Sequence, residues 1–372
     1  MTATLAQTSL HEWHVAHGGR MVDFAGWSMP IQYSSIIAEH RATRSAAGLF
    51  DVSHMARIRF EGPGTEDFLD HLVTRRVAGM QDGQVRYALV TNHEGWILDD
   101  VLVYRLAAAD TGERYFQMVV NSSNRRKIVT WIDANLGGRD DVQFLDRTHE
   151  TGMIAVQGPK ALELLGSFVS IDPATLKYYH AAEANICGAP GIVSRTGYTG
   201  EDGCEAILPA GGAVDLWERL VETGAPLGVM AAGLAARDTL RLEAAMPLYG
   251  HELSEDIDPF QAGLDFAVDL EGRSFPGHDV LADRQASSRP VRVGLEIRER
   301  RIARQGDELL DGTRAVGQVT SGTFSPTLEK TIAMGYVEPP YAAPGQQLTV
   351  NIRRRTEEAR VVPLPFYKRK KN

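Results

Sequence analysis

Thiols are nearly absent from this chain: Cys187 and Cys204 are its only cysteines in 372 residues. Two thiols cannot build a disulfide framework or a cysteine-rich metal site, and they fit a reducing compartment. Long apolar runs are missing too. No stretch approaches the ~18 residues a membrane-spanning helix requires, so no membrane partner is expected. Positive charge is not in excess. A formal net charge of -9 argues against nucleic acid as a partner, because neutralising phosphates needs a basic face. The N-terminal residues show neither a secretory apolar segment nor the Arg-rich, acid-poor pattern of a transit peptide, so a cytoplasmic setting is expected. No G-x-G-x-x-G follows a strand, no G-x-S-x-G elbow is present, and His11-Glu12-Trp13-His14 is not H-E-x-x-H. No metal site is expected.

What is present centres on one hairpin. The strand-like run Tyr87-Ala88-Leu89-Val90 leads into Asn92-His93-Glu94-Gly95, a short loop with glycine where a tight turn needs positive φ. The chain returns through Trp96-Ile97-Leu98 and meets Asp99-Asp100 before Val101-Leu102-Val103-Tyr104. Aspartate is disfavoured inside strands, and successive strand side chains point to opposite faces. The two acids therefore have different jobs. Asp100 shares a face with Leu98, Leu102 and Tyr104; Asp99 shares one with Ile97, Val101 and Val103.

Around the hairpin the chain alternates strands and helices. Arg57 to Pro63 and Met153 to Pro159 both read strand, Gly-Pro, helix, with proline early in the helix where its missing N–H costs nothing. Such paired units, interleaved with hairpins, predict an α+β core. His11, His14 and His17 recur every third residue and read as polar residues of an amphipathic helix. Asp51, Ser53 and His54 crowd into four residues, but triad members converge from distant positions, so a triad is rejected. Ser34 or Ser35 caps a helix running to Ala47, and Ser122 or Ser123 caps another carrying Ile128, Trp131, Ile132 and Leu136. Thr196 to Gly203, with three glycines, joins two strands as either a mobile surface loop or a backbone that approaches a flat ligand. Arg237 and Arg241 share a helical face, read by default as solvated. From Ser287 onward, short β-rich runs (Val291 to Ile297, Ala315 to Val319, Thr331 to Val337, Gln347 to Ile352, Ala359 to Val362) predict a small barrel or sandwich. The closing Tyr367-Lys368-Arg369-Lys370-Lys371-Asn372 reads as a solvated basic tail, with an acidic protein partner as the alternative.

Several stretches, in order, resemble one family, the aminomethyltransferase (T-protein) of the glycine cleavage system. They are Met21 to Trp27, Phe50 to Met55, Gly95 to Asp100, Gln157-Gly158-Pro159, Ser194 to Gly203, Ala236-Arg237-Asp238, Arg241 to Ala244, Leu248-Tyr249-Gly250, Arg301 to Arg304 and Thr320 to Pro326. Two positions depart from the pattern: Trp96 stands where a second glycine is usual, and Ser9 where proline is expected. The resemblance implies an α+β, three-domain cloverleaf around a central folate pocket, with a C-terminal β-barrel-like domain. The division expected is residues 1–52 with 140–250, residues 53–139, and residues 251–372.

The implied reaction moves an aminomethyl group's carbon from the lipoyl arm of the H-protein to tetrahydrofolate, a co-substrate, releasing ammonia and forming 5,10-methylenetetrahydrofolate. By position in the motif, Asp100 is the expected catalytic acid and Asp99 a structural one. Glu205 is expected to accept from the pterin's donor edge, with Arg237 beside it. Tyr87, Tyr178 and Tyr198 are the expected aromatic walls, Val119 and Asn121 further folate contacts, and Tyr367 a weaker carry-over. Two other readings compete: a folate-dependent demethylase of the same superfamily, and a non-catalytic folate-binding factor for iron-sulfur assembly. The latter carries a K-G-C-Y-x-G-Q-E signature, which Arg241 to Gly250 here do not match.

Overall fold

The computed structural model describes residues 4–369, so Lys370 to Asn372 of the basic tail lie outside the described residues. The chain gathers into two compact units. One comprises residues up to Ala88, Asp100–Gly197 and Glu201–Arg237; the other comprises Leu89–Asp99, Tyr198–Gly200 and everything from Asp238. The architecture is α+β, as expected.

One sheet of six strands runs in the order Ala181–Ile186, Ala189–Ser194, Gly203–Pro209, Thr151–Gln157, Gly48–Asp51, Met230–Ala231. Only its last pair is parallel. The helix Ala210–Gly224 covers it through Ala213, Leu216, Trp217 and Leu220, a buried stripe at helical spacing. Close approach needs glycine at 152, where an added Cβ would lie 2.6 Å from that of Ala213. The second sheet orders Val85–Thr91, Ile97–Ala107, Arg114–Val120, Ala56–Glu61 and Gln143–Asp146. It contains the acidic hairpin. Burial alternates from Asp99 to Val103: Asp99, Val101 and Val103 are buried, while Asp100 and Leu102 are only partly so.

Polar residues behave less simply than the sequence patterns predict. The first helix spans only His11–Ala16, and His14 is fully buried rather than polar and outward. Its Nε2 lies 2.9 Å from Asp51 Oδ2 and its Nδ1 2.8 Å from the Tyr33 hydroxyl, while Thr8 donates to the same Asp51 oxygen at 2.7 Å. Burial alone would raise the Asp51 pKa, but His14, Ser53 and Thr8 outweigh it and hold the carboxylate at about 2. Ser53 is engaged by the backbone of Met153, accepting at 2.9 Å and donating at 3.2 Å, so no nucleophile stands beside Asp51. Ser35 caps Ile36–Ser45 by accepting from Ala38 N at 3.1 Å. Neither Ser122 nor Ser123 caps Arg125–Leu136; those serines lie in a 3-10 turn, Ser122–Asn124, that precedes the helix.

The second unit holds a closed barrel of six strands in the order Val291–Ile297, Lys330–Val337, Arg314–Ser325, Glu308–Asp311, Gln347–Ile352, Arg355–Val362. Its interior is aliphatic, with Leu295, Leu309, Val319, Ala333, Val350 and Val361 among its buried residues. Glu308–Asp311 is the strand the sequence pattern missed, being four residues long and acid-flanked. Arg241 overturns the solvated-face expectation: it is 1% exposed and donates to Glu252 at 2.7 Å, Ser321 at 2.8 Å and Asp238 at 2.8 Å.

Arg57 is the comparable buried cation of the first unit. Its guanidinium donates to Thr151 Oγ1 at 2.7 Å and to the carbonyls of Ser53 at 2.9 Å, Thr151 at 2.8 Å, Met55 and Thr148. It thereby ties together the two connections that leave and re-enter the six-stranded sheet. Burial lowers its pKa to about 10, which still leaves it charged at neutral pH. Replacing it by methionine keeps the bulk and orphans the carbonyls. Arg57→Met should cost about 3 kcal/mol or more of unfolding free energy in urea titrations, whereas a loss below about 1 kcal/mol would contradict this role.

Candidate active site

Asp100 sits on the partly exposed face of its strand, and its carboxylate is held at both oxygens. Tyr87 on the preceding strand donates its hydroxyl to Oδ2 at 3.1 Å. Asn121, just past the end of Arg114–Val120, donates its amide to Oδ1 at 2.7 Å and to the Asp100 carbonyl at 3.2 Å. No cation is paired with it among the described residues. Burial pushes its pKa up, opposed by the Tyr87 and Asn121 hydrogen bonds, to about 6. The group is thus an anion at neutral pH that is poorly solvated, which is the condition for a carboxylate to interact strongly with a nearby cation. Asp99, one residue earlier, is fully buried on the opposite face.

Val119 is buried and pairs across the sheet with Leu102, two residues beyond Asp100. A second acid lies on Gly203–Pro209. Glu205 is 4% exposed; Thr196 donates to its Oε2 at 2.5 Å, and Ser194 Oγ is 2.7 Å from the Thr196 hydroxyl. Burial raises the Glu205 pKa, partly offset by Thr196 and by the positive charge of Arg237. Arg237 is half-buried on the helix Leu234–Glu243 and also lowers the pKa of His54, which burial and Arg237 together hold neutral at about 4.

The tyrosines divide. Tyr87 meets Asp100 directly. Tyr178 is 47% exposed, and its neighbour Tyr179, in left-handed conformation at φ 58°, is the one whose hydroxyl feels both Glu205 and Asp100. Tyr104 is fully buried beside Glu205, so it backs the site rather than forming an open wall. Tyr198 and Tyr367 belong to the second unit, where Tyr198 donates to the Pro247 carbonyl at 2.5 Å and the Tyr367 amide donates to the Glu243 carbonyl at 2.8 Å. Sequence reasoning missed Tyr179 and Thr196. Both sit next to residues it singled out, but only the left-handed turn and the cross-strand pairing of Ser194 with Glu205 bring them to the acids. The connector from Thr196 is not a loose loop: Thr196, Thr199 and Glu201 are buried, and Arg195 pairs with Asp202 at 2.6 Å.

Trp96 does not disturb the hairpin turn. Gly95 takes the positive φ of 76°, Asn92 Oδ1 accepts from Trp96 N at 2.9 Å, and Asn92 N donates to the Trp96 carbonyl at 3.0 Å. The indole lies under the Arg284 guanidinium, 3.8 Å from ring centre to carbon.

Residues 10–272 match the family model of the GCVT N-terminal domain, and residues 291–368 that of the glycine cleavage T-protein C-terminal barrel domain. Aminomethyltransferases of Rubrobacter xylanophilus and Symbiobacterium thermophilum are 47% and 44% identical to the chain, covering 99% of it and 96% and 99% of their own lengths. The crystal structure of glycine cleavage system aminomethyltransferase T from Bartonella henselae superposes with a TM-score of 0.90 at 34% identity, covering 98% of each chain.

The geometry makes Asp100 titration testable. Removing the Tyr87 hydroxyl takes a donor from the anion, so Tyr87→Phe should raise the Asp100 pKa by about one unit above its value near 6. Because the folded value exceeds the unfolded one, the native state loses stability as pH rises from about 4 to 6, and the variant should lose more of it over a wider span. Carboxyl-carbon NMR titration reads the shift; an unchanged or lowered value would contradict the assignment.

Proposed function

The chain belongs to the glycine cleavage T-protein family, whose members are aminomethyltransferases, and from that premise we propose that Asp100 is its catalytic acid, acting on a carbon passed from lipoylated H-protein to tetrahydrofolate. The observation that carries this reading is the doubly anchored, poorly solvated Asp100 carboxylate, with no cation paired to it among the described residues. The lipoyl sulfur leaves as a thiol, the carbon it held becomes the iminium CH2=NH2+, N5 of the folate attacks that carbon, and loss of ammonia with attack by N10 closes the methylene bridge. An anion beside the developing cation is what the transfer needs. At 4 Å such a pair gains about 1 kcal/mol in water and about 4 kcal/mol at an effective dielectric near 20. The difference of about 3 kcal/mol corresponds to roughly a hundredfold in rate. The same carboxylate can also take the N5 proton, since a pKa near 6 suits a base working at neutral pH.

In this reading Glu205 accepts from the pterin's N–H edge, with Arg237 close enough to favour its ionised form. Tyr87 and Tyr178 flank the ring system. Val119 and Asn121 supply contacts from the strand end that already carries the amide holding Asp100. A cytoplasmic setting is part of this reading. No helix among the described residues is long and apolar enough to cross a membrane.

Asp100→Asn keeps both hydrogen-bonding neighbours and removes the charge. With lipoylated, aminomethyl-loaded H-protein and tetrahydrofolate in a coupled assay, it should lose about a hundredfold or more in methylenetetrahydrofolate formation while still binding folate. Asp99→Asn, buried on the other face, should act mainly by lowering the unfolding midpoint. Equal catalytic losses in two folded variants would contradict the division of labour. Turnover of simple methyl donors without any lipoyl protein would instead favour a demethylase.

A further inference from the structure

Glu205 is a buried acid whose two oxygens are treated differently. Oε2 receives the Thr196 hydroxyl at 2.5 Å, while Oε1 takes no hydrogen bond from the described residues. Thr196 has one proton to give and gives it to Glu205, so in the 2.7 Å contact Ser194 donates, in preference to its longer 3.4 Å contact with the Glu205 carbonyl. The result is a directed chain from Ser194 through Thr196 to Glu205, in which all three residues are almost wholly buried. Cross-strand pairing fixes its origin, since Ser194 and Glu205 face each other on adjacent antiparallel strands. The fully buried Tyr104 hydroxyl ends beside the same two hydroxyls. A carboxylate needing only to be buried could be replaced by an apolar residue. One presented with a fixed donor behind it and a free oxygen in front is built to receive a donor.

We infer that Thr196, backed by Ser194, is a positioning residue for folate recognition: its hydroxyl fixes Oε2 of Glu205, favours the ionised carboxylate and leaves Oε1 as the acceptor for the N–H edge of the reduced pterin. The inference rests on the reading of Glu205 as the pterin acceptor. The other titratable groups around Glu205 are Arg237 on its helix, Tyr104 on the acidic strand, Tyr179 ahead of Ala181–Ile186 and the adjacent Cys204. Only Arg237 carries charge at neutral pH, and burial pushes the two tyrosines and Cys204 above their ordinary values. Loss of the Thr196 donor therefore leaves Arg237 alone to oppose desolvation, and Glu205 takes up a proton at higher pH.

The test is tetrahydrofolate binding to the full chain by anaerobic titration calorimetry between pH 5.5 and 8.5, each variant expressed as a ratio to the unaltered chain at the same pH. Thr196→Val should weaken binding about tenfold at pH 6, with the ratio closing to about twofold at pH 8.5. Thr196→Ser, which restores the hydroxyl, should return the ratio to about one throughout. Ser194→Ala should show a smaller loss with the same pH trend, which keeps the inference testable if the valine variant does not fold. A ratio independent of pH, or no loss in Thr196→Val while Glu205→Gln binds weakly, would overturn the role given to Thr196. No loss in Glu205→Gln itself would instead overturn the reading of Glu205 on which it rests.

Discussion

Everything in the site depends on keeping one carboxylate charged where water solvates it poorly. Among the described residues Asp100 has no cationic partner, and its charge is supported by two neutral donors, the Tyr87 hydroxyl and the Asn121 amide. Neutral donors stabilise the anion enough to hold its pKa near 6 without cancelling its field, whereas a salt bridge would spend that field on the protein itself. Each donor is placed by ordinary secondary structure. Tyr87 is on the strand that enters the hairpin, and Asn121 stands where Arg114–Val120 ends and a 3-10 turn begins.

The two acids of the first unit are managed by contrasting means. Asp100 is partly accessible and held by groups from flanking strands, while Glu205 is deep and supported through a hydroxyl chain with Arg237 nearby. The difference matches their proposed tasks. A group that meets a transient positive charge must not be neutralised in advance, and a group that reads a hydrogen-bonding edge must be aimed and ionised before the ligand arrives. Around them the fold stakes considerable stability on buried polar networks, Arg57 among carbonyls and Asp51 among His14, Thr8 and Ser53. These networks fix the connections between strands, and through them the strand ends that carry the functional side chains.

Much of this was legible in the sequence wherever a period governed burial. The two-residue period from Asp99 to Val103 separated Asp99 from Asp100, and Gly and Pro turns at short intervals marked five of the six barrel strands. Legibility failed where a charged or polar residue is buried by partners far along the chain. His14 looks like a solvent-facing histidine until Asp51 and Tyr33 close on it, and Arg241 looks like a surface arginine until Glu252 and Ser321 do. Thr196 and Tyr179 carried no signal of their own, because neither residue type in a glycine-rich or tyrosine-paired stretch specifies what its hydroxyl will meet. Trp96, beside the acidic hairpin's turn, is harmless to it, since the positive φ falls on Gly95 and the indole finds the Arg284 guanidinium.

The claim that an ionised, poorly solvated Asp100 drives the transfer is most directly tested by the pH dependence of a single turnover, with folate saturating and aminomethyl-loaded H-protein limiting. The rate should rise about tenfold per pH unit on the acid side and level off above an apparent pKa near 6, and the residual rate of Asp100→Asn should show no such rise. A wild-type rate flat between pH 5 and 7, or the same acid limb surviving in Asp100→Asn, would contradict it.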